Sequence, residues 1–163
     1  MGLRNLLITC RCPSKTPEEQ QYIEFLWEAF ESNYLHEKYQ FAFLAYHMLT
    51  MSFVYFNVWQ IRQSKPAEFA TGIIRFGKDI EISMLQAKSP FAFSRVNERS
   101  ELRLFKLISC DNSKISTYAK LVDDRNDTAH SNGNIFYSTE AAIDLKISEV
   151  LRIVNEIQIT RYL

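Results

Sequence analysis

Hydrophobic residues recur at three- and four-residue steps along most of this chain, the spacing that places them on one face of an α-helix. The clearest start is Thr16, whose hydroxyl can cap a helix that continues through Pro17, Glu18 and Glu19. Proline is favoured in a first helical turn, and acidic side chains there interact well with the positive end of the helix dipole. We therefore predict a first helix over residues 16–35.

The same spacing predicts further helices with little punctuation between them. These are a second over about residues 37–63, a third from about Pro66 to Met84, a fourth over about residues 96–108, a fifth from Ser113 to the sequence "SNGN", and a sixth from Ser138. Only 4 glycines and 4 prolines interrupt the chain, which favours a few long elements over many short strands. We predict an all-α, single-domain bundle of five or six helices over residues 1–163, with residues 1–15 as an N-terminal extension.

The second predicted helix is the most apolar, and residues 41–61 carry no formal charge. This length could span a bilayer. However, the segment contains His47, Asn57 and Gln60, and it lacks the saturation with Leu, Ile and Val that is typical of a lipid-facing span. We expect a buried central helix, because amphipathic neighbours need an apolar partner. A membrane span and a partly exposed dimer face are the alternatives.

The composition indicates an ordinary globular protein of 163 residues. It does not exclude a small basic cleft. Lysine plus arginine equal aspartate plus glutamate at 19 each, which disfavours a protein that coats long nucleic acid by charge alone. Cys10, Cys12 and Cys110 fit neither a disulfide framework nor zinc-ligand spacing. We expect reduced thiols in a cytoplasmic protein, with no metal, no cofactor and no membrane partner.

The fifth predicted helix ends in an unusual set of polar residues. Its apolar row comprises Ile115, Tyr118, Ala119 and Val122. Continued at helical spacing, this row reaches Arg125 and Asn126 and then Ala129 and His130. An arginine, an amide and an imidazole would therefore take the place of the buried stripe. We interpret this part of the helix as the wall of a cleft, formed against a second copy of the chain.

These residue types suit attack on a phosphodiester. The guanidinium of Arg125 can bind a phosphate in a bidentate manner, and the imidazole of His130 can transfer a proton near neutral pH. The amide of Asn126 can orient either group. Three acids that could orient the arginine occupy the same turns: Asp123, Asp124 and Asp127. The alternative is structural, because an Arg and a His near a helix C-terminus can cap carbonyl groups and favour the negative end of the dipole.

The pattern Arg125-Asn126-x-x-x-His130 resembles the R-x4-6-H signature of the HEPN superfamily, in which a polar residue, often Asn, follows the arginine. Its position also resembles that family, because it lies late in an all-α domain, on the penultimate long helix. The resemblance implies a HEPN-like fold and a metal-independent endoribonuclease that acts as a homodimer. It also implies that Arg125 and His130 are catalytic and that Asn126 supports them.

The resemblance further implies a biological setting of toxin–antitoxin or anti-phage defence systems, with RNA as the substrate and a cognate antitoxin or defence-system subunit as a partner. One toxin branch carries a modifiable tyrosine two residues after the histidine. Asn132 stands at that place here, and Tyr137 lies too far along the chain to replace it. Two rival functions stay open: a non-catalytic HEPN-like dimerisation or interaction module, and a generic helical adaptor or small membrane protein.

Overall fold

The computed structural model of the protein describes residues 16–108, 112–130 and 133–160, and all regular structure in these ranges is helical. The α-helices are α1 (Pro17–Leu35), α2 (Tyr39–Ser64), α3 (Pro66–Ile73), α4 (Lys78–Leu85), α5 (Glu98–Leu102), α6 (Asn112–Ala129) and α7 (Glu140–Thr160). Three 3-10 helices comprise Ile74–Phe76, Pro90–Arg95 and Arg103–Ile108. The predicted all-α class is confirmed for these residues. The N-terminal extension, Asn132 and the three cysteines, for which we predicted reduced thiols, lie outside them.

Helix α1 starts and ends through local hydrogen bonds. The Thr16 hydroxyl accepts from the Glu19 backbone N–H at 3.2 Å, and the Glu19 carboxylate accepts from the Thr16 N–H at 3.1 Å. This reciprocal capping box confirms the predicted start. At the other end, Glu37 has φ 58°, and the N–H of Lys38 donates to the carbonyl of Asn33 at 2.8 Å. This left-handed turn ends the helix at Leu35 and delays α2 to Tyr39.

Helix α2 is buried, as predicted. By length and composition it could cross a membrane, and it is the one such helix in the described part of the chain. However, 83% of its most apolar window is buried inside the protein, as in the core helix of a soluble protein. Every residue over 51–58 is buried, so all faces of the helix are covered there.

Two predicted helices are shorter than their apolar spacing indicates. The third breaks at Gly77, where φ is 94° and ψ is 150°, a conformation that favours glycine. Helix α3, the 3-10 turn Ile74–Phe76 and α4 replace it. The fourth divides into α5 and the 3-10 helix Arg103–Ile108. Because a 3-10 helix has three residues per turn, apolar spacing alone does not distinguish it from a short α-helix.

The described residues form two compact units. The first lies within Met1–Met51 and Asp123–Glu156, and the second within Ser52–Val122 and Ile157–Leu163. The single domain over residues 1–163 stays a prediction. Each unit has its own buried apolar residues, and the candidate residues Arg125, Asn126 and His130 belong to the first unit.

In the first unit, Phe43 is fully buried and packs with Ala42 and Ile143. The partly buried side chains around them are those of Phe30, Tyr34, Tyr39, Tyr137 and Ile147. The Tyr34 hydroxyl donates to Asp144 at 2.7 Å and to Glu140 at 3.1 Å, which joins the end of α1 to the start of α7. These acceptors and partial burial raise the pKa of the Tyr34 hydroxyl.

In the second unit, the core is rich in aromatic rings. Phe93 packs against Trp59, with ring centroids 5.8 Å apart, and against Phe69, at 6.2 Å. The Arg62 guanidinium lies over the Trp59 ring and donates 2.7 Å hydrogen bonds to the carbonyls of Leu85 and Ala87. Arg62 therefore fixes the end of α4 to α2 through both charge and packing.

Candidate functional site

The three candidate residues lie at the C-terminal end of α6. Arg125 and Asn126 are in its last two turns, and His130 follows its last residue. The His130 backbone N–H still donates to the Asn126 carbonyl at 3.0 Å, so the chain keeps its helical path as far as His130. Asn126 and His130 are therefore neighbours on one side of the helix, whereas Arg125 lies roughly 140° around the axis from His130.

The three side chains differ in exposure. Arg125 and Asn126 are half-buried, whereas His130 is exposed. An exposed imidazole can exchange its proton with solvent or with a bound substrate, and a half-buried guanidinium is held more firmly than one on the open surface. The helix end can therefore present an exposed imidazole and, roughly 140° around the axis, a half-buried guanidinium.

The buried row of α6 takes a different path from the predicted one. It runs through Ile115, Tyr118 and Val122 as predicted, but it continues to Thr128 and not to Ala129 or His130, which are both exposed. The apolar row therefore ends before His130, and the interpretation of this helix end as the wall of a cleft stays a prediction. Thr128 satisfies its own hydroxyl by donating to the Asp124 carbonyl at 2.7 Å, which lets a polar residue be buried there.

One of the three acids near Arg125 has another partner. The Asp124 carboxylate forms an ion pair with Lys146 of α7, and Lys146 also pairs with Glu149 at 2.6 Å. Burial alone would lower the pKa of the Lys146 ammonium, but hydrogen bonds with both carboxylates outweigh this effect and the pKa is raised. The pair joins the last turns of α6 to α7, so Asp124 helps to fix the position of the helix end.

Tyr137 completes the surroundings of this helix end. Its ring packs against Phe43 with centroids 4.6 Å apart, and its hydroxyl is hydrogen-bonded to Thr128. Burial raises the pKa of the Tyr137 hydroxyl to about 12, so the side chain stays neutral at physiological pH. These contacts indicate a structural tyrosine and agree with its exclusion as a modification site.

Gln40 of α2 holds the end of α6 and the following loop. Its side-chain amide donates to the Thr128 carbonyl at 3.0 Å, and its side-chain carbonyl accepts from the Phe136 N–H at 3.1 Å. The Thr128 carbonyl lies in the last turn of α6 and the Phe136 N–H lies in the following loop, where backbone groups need partners other than those within the helix. One side chain therefore fixes the two segments on either side of His130.

Substitution of Gln40 by leucine is expected to loosen this helix end. The change removes both hydrogen bonds, and two such bonds together contribute about 1–3 kcal/mol. Amide hydrogen exchange at Phe136 and in the last turn of α6 should rise markedly. The matched control is Gln63→Leu, an exposed glutamine at the other end of α2, which should leave that exchange unchanged. Equal protection of Phe136 in wild type and Gln40→Leu would contradict this role.

Periodicity alone did not reveal the partners that position the site. Lys146 could have been recognised in the sequence as one of these partners, because it lies beside Ile147 and three residues after Ile143 on the apolar face of α7. A lysine at such a place needs an acidic partner. Gln40 carried no signal, because an amide at the start of a helix is ordinary.

Comparisons of the chain with protein-family models, with curated proteins and with solved structures found no match in any of the three. The site therefore has to be judged on its own residues. In residues 16–108, 112–130 and 133–160, no three His, Cys, Asp or Glu side chains come together as they would around a metal ion.

Proposed function

We propose that this protein is a HEPN-like, metal-independent endoribonuclease that acts as a cytoplasmic homodimer. The observation that carries the proposal is the exposed imidazole of His130 at the end of α6, four residues after Asn126 and five after Arg125. These three positions resemble the R-x4-6-H signature of the family.

In the proposed reaction, a ribose 2′-hydroxyl attacks the adjacent phosphorus. The new 2′-oxygen–phosphorus bond forms as the bond to the 5′-oxygen breaks, leaving a cyclic phosphate and a 5′-hydroxyl. His130 accepts the proton of the attacking 2′-hydroxyl and then returns it to the leaving 5′-oxygen. Arg125 offsets the negative charge that develops on the phosphoryl oxygens. Asn126 keeps the imidazole or the phosphate in position.

A two-fold symmetric dimer would bring a second copy of each residue to the same groove. Two arginines could then concentrate positive potential locally although the chain has no net charge. The first unit also carries exposed apolar side chains on α2, with Phe41 59% and Met48 46% exposed, and others after α6, at Ile135 and Phe136. Such residues favour an interface between copies.

Phe41→Asp is expected to convert the dimer into a monomer, because it places a charge within an apolar contact. Light scattering coupled to size exclusion at micromolar concentration measures the change. The control is Ile74→Asp, at an exposed apolar residue of the second unit, which should stay dimeric. Wild type that elutes only as a monomer would contradict the dimer, and a nuclease active as that monomer would leave the catalytic proposal standing.

The second candidate function is a non-catalytic HEPN-like interaction module. The equal numbers of acidic and basic residues and the exposed apolar side chains of the first unit favour it. A cognate antitoxin or a defence-system subunit would be the partner in either case. The two functions are separated by incubating labelled RNA with purified protein, with and without EDTA. The nuclease should cleave in both conditions and leave cyclic phosphate ends, whereas the module should leave the RNA intact.

A further inference from the structure

The second unit contains an open cleft of about 820 Å³ that no part of the proposed nuclease mechanism uses. Its walls are formed by α3 with the 3-10 turn Ile74–Phe76, by Ile80 of α4, and by the 3-10 helix Arg103–Ile108. Sites for small molecules usually fall between about 300 and 1,000 Å³. The cleft therefore has room for a ligand of nucleotide size.

The inner surface of the cleft is apolar. Phe76, Ile80, Leu104 and Leu107 contribute to it. At Gly72, α3 packs close to the opposite wall, where a Cβ atom would make ordinary van der Waals contact, at 3.5 Å, with the side chains of Leu104 and Leu107. The carbonyl of Leu107 accepts a 2.8 Å hydrogen bond from the Lys65 ammonium, which fixes this wall. The cleft is thus held open between two anchored elements.

The cleft also gathers positive charge. Arg103 and Lys106 are three residues apart in a 3-10 helix, where such side chains lie directly above one another, roughly 6 Å apart along the axis. Arg75 faces the cleft from the other wall. All three side chains are exposed, and within the described residues none forms a hydrogen bond or an ion pair. Glu68 is the acid in the lining, which leaves an excess of two positive charges.

This combination restricts the class of ligand. Adjacent cations without acidic partners repel one another, so a ligand with at least two negative charges would relieve them. Arginine and lysine side chains of this kind bind phosphate oxygens through charge-assisted hydrogen bonds. The apolar surface requires that the rest of the ligand carry an uncharged, apolar or aromatic body. Inorganic phosphate alone would leave that surface unused.

We propose that this cleft binds a phosphorylated small molecule with an apolar or aromatic body, its phosphates held between Arg75 and the Arg103–Lys106 pair. Nucleotides and alkyl phosphates share this chemistry. The open shape of the cleft favours a compact, flat body on the partly exposed Phe76 and Leu107 side chains. The site stands independently of the nuclease proposal and can be tested in a protein that cleaves no RNA.

The test is titration calorimetry on the full chain with ATP, dodecyl phosphate and inorganic tripolyphosphate. Binding of ATP or of dodecyl phosphate at least tenfold tighter than tripolyphosphate is expected, and the tighter of the two organic ligands identifies the source. The double variant Arg103→Glu with Lys106→Glu should weaken that binding by about 100-fold, because it removes two charge-assisted contacts.

The control is Lys88→Glu with Arg95→Glu, which changes the net charge equally at exposed positions outside the cleft. It should bind within about twofold of wild type. All variants should keep the wild-type circular dichroism and melting temperature, because the four side chains are exposed. Absence of binding by both organic phosphates, equal binding of tripolyphosphate, or an equal loss in the control would each overturn the proposal.

Discussion

His130→Ala is expected to abolish RNA cleavage while leaving the helical signal and the dimer intact. A proton-transfer group typically contributes about 100- to 10,000-fold to the rate, and loss of the imidazole removes this contribution. The fold should be unaffected, because His130 is exposed and its backbone hydrogen bond to Asn126 does not involve the side chain. The measurement is the initial rate of cleavage of a labelled RNA, with circular dichroism and light scattering on the same sample.

His36→Ala is the matched control for that substitution. His36 is also exposed and also caps the end of a helix, where its Nδ1 lies 2.7 Å from the Ser32 carbonyl oxygen. Loss of this contact should lower the free energy of unfolding slightly and leave cleavage unchanged. If wild type cleaves RNA and His130→Ala cleaves it equally well, the proposed mechanism is wrong. If His36→Ala is as inactive as His130→Ala, the effect does not depend on proton transfer at His130.

Arg125→Ala should lower the cleavage rate about as much, because removal of one group that stabilises transition-state charge costs about 100- to 1,000-fold. Arg125→Lys should restore only part of the rate, since an ammonium cannot reproduce the bidentate contact of a guanidinium. Arg152→Ala, at an exposed arginine that pairs with Glu156 at 2.6 Å, is the control and should be fully active. A purely structural role for Arg125 predicts instead that lysine and alanine alter stability and have no activity to alter.

Glu101 is expected to contribute a loss of stability as the pH rises above its ordinary pKa of about 4.5, and Glu101→Gln is expected to remove this contribution. Glu101 in α5 is 0% exposed, and neither of its carboxylate oxygens has a hydrogen-bond partner among the described residues. Burial raises the pKa of this carboxyl well above its usual value, with a smaller contribution from Glu98. The folded protein therefore retains a proton that the unfolded chain releases.

The sign follows from this difference in bound protons. Below the unfolded pKa both states are protonated and the full stability is present. Above it, only the unfolded state loses its proton, and the free energy of unfolding falls by about 1.4 kcal/mol per pH unit until the folded pKa is reached. Denaturant titrations from pH 4 to pH 8 measure the slope. The glutamine variant should match wild type at low pH and exceed it at neutral pH, because its amide has no proton to lose.

Glu31→Gln is the control for this experiment, because Glu31 is exposed on α1 and should keep the wild-type pH dependence. Parallel curves for wild type and Glu101→Gln would contradict a buried, protonated carboxyl at this position.

Elements that depend on interactions between residues a few positions apart could be predicted from the sequence. The capping box of Thr16 and Glu19 involves side chains three residues apart, so its pattern could be read directly and α1 begins where expected. The burial of α2 was predictable for a related reason, since a helix with apolar residues on every side has no face suited to water. The order of the helices followed from their apolar spacing.

The breaks in the third and fourth predicted helices were harder to predict from the sequence. Gly77 was visible as a glycine, but a single glycine within an apolar pattern is tolerated in many helices. Its φ of 94° depends on how α3 and α4 each pack in the second unit. The 3-10 geometry of Arg103–Ile108 likewise depends on the packing of buried Leu104 and Phe105.

By itself, the sequence determined the helical class, the start of α1, the burial of α2 and the presence of Arg125, Asn126 and His130 near one helix end. Only the tertiary structure decided that Thr128 and not His130 continues the buried row, that Asp124 pairs with Lys146, and that the Glu101 carboxyl is enclosed. The physical reason is the range of the interactions. Helix caps and apolar periodicity depend on neighbours within a turn, whereas burial and ion pairing depend on side chains that only the folded chain brings together.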